Sequence, residues 1–188
     1  IYDPDIFQHL RGGQAIWESH QVPQRYLWTW PAYGTLEVLP SWLFRALVWP
    51  FWSAGGIWGL FAWRWLTTLT AFGLLWAVAR RLGARGLRSL VVLVLCSLIY
   101  RQRSQVRPET FVAILMAAQL LILETRRQGG PDRSPWLVAL ALVWANAHIS
   151  YYLGLGLTGL FWLEAWFTSR GRGRSRTAGA SPGPGHAG

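Results

Sequence analysis

The charged residues of this chain stand in the breaks between apolar runs, and the longest run, Gly55 to Ala79, holds 25 residues with a single charge, Arg64. A helix of that length rises roughly 37 Å, enough to cross the ~30 Å hydrocarbon core of a bilayer. A soluble helix so long would carry a polar stripe along its outer face, and this one carries none. All 18 basic residues are arginine, and most punctuate the apolar runs. That layout predicts an all-α, polytopic membrane protein.

Composition narrows the alternatives. A net charge of +10 would suit nucleic acid if the arginines formed one solvated patch, but they lie beside apolar runs, so nucleic acid is not the expected partner and the lipid bilayer is. Cys96 stands alone, which removes a disulfide framework and a cysteine metal site and leaves a small buried apolar residue as the expectation.

Three regions follow. Residues 1–54 mix Asp, Glu, His, Pro and aromatics and read as an extracytoplasmic loop with interfacial or re-entrant helices. Within them Asp5 to His20 places Ile6, Phe7, Leu10, Ile16 and Trp17 at spacings suited to a surface helix, although Gly12-Gly13 opposes it. Ser41 to Trp52 is apolar but too short to span. Residues 55–168 form a transmembrane bundle of about five segments: Gly55–Ala79, Leu87–Tyr100, Pro108–Glu124, Trp136–Ala147 and Tyr151–Phe167. Pro108 suits a first helical turn, and the last two segments hinge at Asn146 to Ser150. Residues 169–188, with alternating Arg and Gly followed by Ala, Ser and Pro, are too poor in large apolar groups to pack and are expected to be a disordered tail. The chain opens on Ile1 with no leader or preceding span, so a longer protein is expected around it.

Orientation follows from arginine in short loops. With Arg80, Arg81, Arg85 and Arg88 inside, alternation also puts Arg126, Arg127, Arg133 and the tail arginines inside. The first segment, the turn from Arg101 to Arg107 and the turn from Asn146 to Ser150 then share one outer face. Had Trp136 to Phe167 been one helix, the arginine tail would emerge outside, so two short helices are expected.

That outer face gathers the candidate chemistry. Asp3 and Asp5, two residues apart, can supply a general base or hold a divalent cation, although such a pair is more often a solvated loop or helix cap. Arg101, Arg103 and Arg107 stand on the side where short loops usually avoid arginine. Their planar forks suit bidentate phosphate contacts, or pairing with Glu109 and lipid head groups. Asn146 and His148 end an apolar run and either line a polar cavity or cap and anchor the helix ends beside Trp144, Tyr151 and Tyr152. His9, Glu18, His20 and Glu37 complete the polar set. Arg64, at mid-span with Thr67 and Thr68 on the same helical face, is either functional or paired to a carboxylate elsewhere. No nucleotide-binding glycine loop, Ser-His-Asp set or metal-spaced His/Cys cluster is present.

The order of these motifs, Asp-x-Asp-x-x-x-His followed by Gly and Ile-Trp-Glu (Asp3 to Glu18), Trp42-Leu43, Arg-Pro-Glu-x-Phe (Arg107 to Phe111) and Trp-Ala-Asn-x-His (Trp144 to His148), resembles the N-terminal half of bacterial multi-pass GT-C glycosyltransferases. These are relatives of the protein O-mannosyltransferases and aminoarabinose transferases. The resemblance implies a multi-pass enzyme of the bacterial cytoplasmic membrane that moves a sugar from a polyprenyl-phosphate donor to an acceptor on the outer face. On that basis Asp3 or Asp5 is the base, and Arg107 contacts the donor phosphate. His9, Arg101, Arg103, Glu109, Asn146 and His148 are expected around the substrate. No cofactor is implied beyond an optional divalent cation, and a C-terminal half would lie beyond Gly188. A non-enzymatic transporter part or membrane scaffold stands as the alternative. It would place Asp3 and Asp5 in solvent and line a continuous polar path that includes Arg64.

Overall fold

The computed structural model describes residues 5–26, 30–36, 39, 41–100 and 105–178, with side chains described as far as residue 170. Six helices account for its regular structure: α1 (Ile6–Ser19), α2 (Trp42–Arg81), α3 (Leu87–Tyr100), α4 (Pro108–Arg127), α5 (Pro135–Ala147) and α6 (Tyr151–Ala178). No strand occurs among the described residues; the loop between α1 and α2 holds one isolated antiparallel bridge, Arg25 to Leu36.

α2 is two arms rather than one rod. Gly56 adopts φ 52° and ψ −128°, a conformation open to glycine, and breaks the helix there. In a straight helix Phe44 and Trp63 would lie roughly 28 Å apart along the axis, yet their rings meet at 6.0 Å. Phe51 and Trp63 meet at 5.2 Å. Residues 42–55 therefore fold back along residues 57–81. The approach is so close that a Cβ on Gly59 would collide with the carbonyl of Phe51. The short apolar stretch at Ser41 to Trp52 thus forms a helix that doubles back.

α1 lies on this fold-back. Ile6 and Leu10 are buried against Phe44 and Val48, joined by Leu60, Trp63 and Val106, and the Trp17 indole N–H donates to the carbonyl of Ala46 at 2.8 Å. The helix runs through Gly12-Gly13 because the glycines are its contact face. A Cβ on Gly13 would strike the Arg45 carbonyl and sit 2.9 Å from Trp49 Cβ; one on Gly12 would sit 2.9 Å from the Arg45 side chain. The packing gained there outweighs the intrinsic preference of glycine against helix, about 1 kcal/mol each.

α4 is the central strut, packed along α2 and flanked by α5 and α6. Leu115 joins Trp144 and Ala147 of α5 in a second core, and Phe111 touches both cores. Buried Gln119 donates to the Gly154 carbonyl at 2.6 Å and to Thr158 Oγ1 at 2.7 Å, fastening α6. At the far end Glu124 is buried, accepts two bonds from the Arg127 guanidinium at 2.8 and 2.9 Å and one from Gln128 at 2.6 Å. Arg127 also reaches Glu164 of α6 at 3.2 Å, and Gln128 donates to the carbonyl of Arg81 in α2.

The helix borders at Leu87–Tyr100, Pro108 and Ala147 to Tyr151 fall where the sequence predicts, with Pro108 in the first turn of α4 and α5 separated from α6 at His148. Three expectations change. α6 continues to Ala178 into the region expected to be disordered, where arginine's intrinsic helix preference favours the extension. Cys96 is exposed on α3, because no residue of that helix is buried. One helix among the described residues, α4, is long and apolar enough to cross a membrane; α3 and α5 are shorter apolar helices of 10–17 residues.

Candidate functional site

The segment before each helix dictates where its polar residues end up. Asp5 is the N-cap of α1, and the amide of His9 closes the first turn on the Asp5 carbonyl at 3.1 Å, so the two side chains share one face of the helix. Arg107 is extended (φ −130°, ψ 157°), as a residue before proline prefers, and α4 starts at Pro108. Its carbonyl accepts from the Thr110 hydroxyl at 2.7 Å, which fixes the first turn bearing Glu109. Ser41, at φ 59°, is the N-cap of α2, and His148 ends α5.

These ends meet around one cavity of about 290 Å³, lined by Asp5, His9, Ser41, Arg107, Pro108, Glu109, His148 and Ile149. Three helix starts, those of α1, α2 and α4, border it, and each contributes a positive dipole end. The Arg107 guanidinium and these dipole ends suit an anionic group on their side of the cavity, set against the carboxylates in the same lining. Asp5 and Glu109 supply carboxylates, and His148 Nε2 lies 3.9 Å from Glu109 Oε1. The His9 ring stands edge-on to Phe44 at 5.3 Å, which ties the cavity to the first core.

No family, characterised protein or solved structure matches the chain.

Of the residues singled out from sequence, the cavity unites Asp5, His9, Arg107, Glu109 and His148, drawn from three segments far apart in the chain. Asp3, Arg101 and Arg103 lie outside the described residues, as does Glu37. Asn146 is beside the cavity rather than in its lining. Its Oδ1 accepts from the Trp42 indole at 2.8 Å, and its Nδ2 donates to the Leu142 carbonyl at 2.8 Å, so the side chain joins α5 to α2. Arg64 does not border the cavity, and Thr67 turns back to the carbonyls of Trp63 and Arg64. Among the described residues no three His, Cys, Asp or Glu side chains gather as metal ligands; of the Asp3 and Asp5 pair expected to hold a cation, only Asp5 is described.

Ser41 and Ile149 are lining residues that the sequence reading passed over. Each sits next to a helix start, Ser41 before Trp42 and Ile149 two positions before Tyr151. A signal existed for Ser41, a helix-capping residue type ahead of an apolar run.

Proposed function

We propose that this chain carries the donor site of a membrane glycosyltransferase of the GT-C type, which transfers a sugar from a polyprenyl-phosphate donor to an acceptor hydroxyl on the extracytoplasmic face of the bacterial cytoplasmic membrane. The observation that carries the reading is the meeting of Asp5, Arg107, Glu109, His9 and His148 in one cavity bordered by three helix starts.

The chemistry asks little more of a protein. Phosphate is a good leaving group, so the site must orient donor and acceptor, take one proton and hold developing negative charge. Asp5 accepts the acceptor hydroxyl's proton as its oxygen bonds to the sugar's anomeric carbon. The bond from that carbon to the phosphate oxygen breaks, and the departing polyprenyl phosphate stays against Arg107 and the helix starts.

The bilayer as partner has its own support. α4 has 20 residues and rises roughly 30 Å, the thickness of the hydrocarbon layer, with Arg107 just before its start and Arg126 and Arg127 at its end. Apolar side chains stand exposed along α3, α5 and α6, among them Leu87, Ile99, Val138 and Phe167, a surface far beyond what monomeric soluble proteins tolerate. Trp58, Trp65, Trp136 and Trp162 are likewise more than 60% exposed, as expected for residues facing lipid and its interfaces.

The test is donor binding by the chain in lipid nanodiscs supplied with a polyprenyl-phosphate hexose, and sugar transfer by the full-length protein that contains it. Arg107→Ala should weaken donor binding at least tenfold, the equivalent of about 1.4 kcal/mol, while Asp5→Asn should leave binding within a few-fold and abolish transfer. Wild-type affinity in Arg107→Ala, or wild-type transfer in Asp5→Asn, would reject these assignments in favour of a non-enzymatic membrane protein.

A further inference from the structure

His148 is held by a chain of hydrogen bonds that determines which of its ring nitrogens carries a proton. The backbone N–H of Ser150 donates to His148 Nδ1 at 3.1 Å. An amide nitrogen can only donate, so Nδ1 must be the acceptor. The Ser150 hydroxyl stands 2.8 Å from the same nitrogen and accepts from the Trp144 indole N–H at 3.1 Å, which leaves its own hydrogen to point at Nδ1. Trp144 is 1% exposed, so the chain is anchored in the second core. The neutral ring therefore bears its proton on Nε2, the nitrogen that faces Glu109.

Nε2 and Glu109 Oε1 are 3.9 Å apart, too far for a direct hydrogen bond. A donor held in place and a carboxylate acceptor at that separation match a single hydroxyl. An oxygen placed about 2.8 Å from each would meet them at an angle of roughly 90°, accepting from Nε2–H and donating to the carboxylate. A phosphate oxygen has no hydrogen to offer Glu109 and would be repelled by it.

We infer that His148 and Glu109 form a hydroxyl-reading pair that recognises the sugar of the donor, with Ser150 and Trp144 as positioning residues that set the imidazole tautomer. This rests on the donor-site reading above and divides the cavity. The phosphate lies toward Arg107, and one sugar hydroxyl bridges His148 and Glu109. Discrimination arises because a ligand lacking that hydroxyl leaves the Nε2–H of His148, only 20% exposed, without an acceptor, while the exposed Glu109 stays with water.

The chain in nanodiscs is titrated with two probes, a polyprenyl-phosphate hexose and polyprenyl phosphate without sugar. Wild type should prefer the sugar-bearing lipid. His148→Leu should lose about tenfold in affinity for it, the scale of one well-placed hydrogen bond, and keep its affinity for the bare phosphate. His148→Gln, whose amide N–H stands in for Nε2–H, should stay within about threefold of wild type. Nitrogen-15 spectra of histidine-labelled protein at about pH 8.5, above the ordinary histidine range, should show the Nε2–H form for the signal that disappears in His148→Gln. Ser150→Ala, which removes the hydroxyl but keeps the backbone N–H, should weaken that bias without reversing it, and Ser150→Thr should keep it in full. An Nδ1–H form in wild type, or equal weakening toward both lipids in His148→Leu, overturns the pair. A wild type that binds both lipids equally overturns it while sparing the phosphate site, and one that binds neither overturns the donor-site reading along with it.

Discussion

The indole N–H of Trp42 donates to Asn146 Oδ1 at 2.8 Å, joining the first residue of α2 to the penultimate residue of α5 across 104 positions of sequence. Ser41 precedes one partner and His148 follows the other by two residues, so this bond holds together two walls of the cavity. Replacing Asn146 with Ala should cost about 1 kcal/mol, the usual net worth of such a bond. The loss should appear both as a lower unfolding midpoint and as faster hydrogen exchange at the His148 amide, which bonds the Trp144 carbonyl at 2.9 Å. Trp42→Phe should reproduce most of the loss, and the double variant should be no worse than the poorer single one. Additive losses would show that the two residues act separately.

Gly56 offers a test of backbone conformation alone. A Cβ there meets no atom within 4 Å, yet φ is 52°, so Gly56→Ala should destabilise by about 1–3 kcal/mol through strain without steric conflict. Gly59→Ala should cost more, because its methyl would occupy the space of the Phe51 carbonyl. Denaturant unfolding in detergent would rank the two, and an unaffected Gly59→Ala would contradict the fold-back of α2.

Glu124 lies buried among Arg127 and Gln128 and links, through them, to Glu164 and Arg81. Glu124→Gln keeps the shape and removes the charge. It should cost on the order of 2 kcal/mol, the range for hydrogen bonds to charged groups, with Arg127 half exposed and partly screened by water. Thermal unfolding would read the change. A neutral result would mean that Glu164 and solvent satisfy Arg127 unaided.

The start of α5 should respond to acid. Hydrogen bonds from the Ser134 hydroxyl and then its backbone N–H hold the Asp132 carboxyl below the ordinary aspartate range, with Arg126 assisting. A carboxylate with a depressed folded value contributes its stability above the unfolded value near 4 and loses it as pH falls through the lower folded one. Amide exchange at Trp136 and Leu137, which bond the Arg133 and Ser134 carbonyls, should therefore accelerate below about pH 4, and Asp132→Asn should remove that acid step. A step that persists in Asp132→Asn would belong to another group.

The proposed topology puts Glu18 and Ile149 on one side of the bilayer and Asp132 on the other. In a Cys96→Ser background, single Glu18→Cys and Ile149→Cys variants should react with an impermeant maleimide from the same side of sealed vesicles, and Asp132→Cys only from the opposite side. Equal reactivity of all three from one side would rule out a spanning α4.

Much of the helix plan was legible because proline, glycine and arginine mark the ends of apolar runs. Pro108 begins α4, and Asn146 to Ser150 separates α5 from α6. Five cavity residues were legible for a topological reason, since consecutive helices that reverse direction return their turns to the same end. The fold-back of α2 was not, because a lone Gly-Gly pair in an apolar run does not disclose which backbone angle it adopts. The commitment of Asn146 to Trp42 was equally hidden; a polar side chain at a helix end has many partners open to it, and only packing selects one. Gly12-Gly13 misled in the other direction, since its helix-breaking tendency is local and its value as a contact face depends on Arg45 and Trp49, more than thirty residues away.

Phe111 packs against both cores, stacked on Trp63 at 6.3 Å on one side and lying against the Leu115 and Trp144 cluster on the other. It stands one turn along α4 from Arg107, so a single aromatic ring acts as the spacer that sets how far apart the α2 and α5 walls stand. Trimming it to Leu would let the walls close, and widening it to Trp would wedge them open. The bore of the site is thus adjustable from beneath its floor, by a residue that never meets what enters.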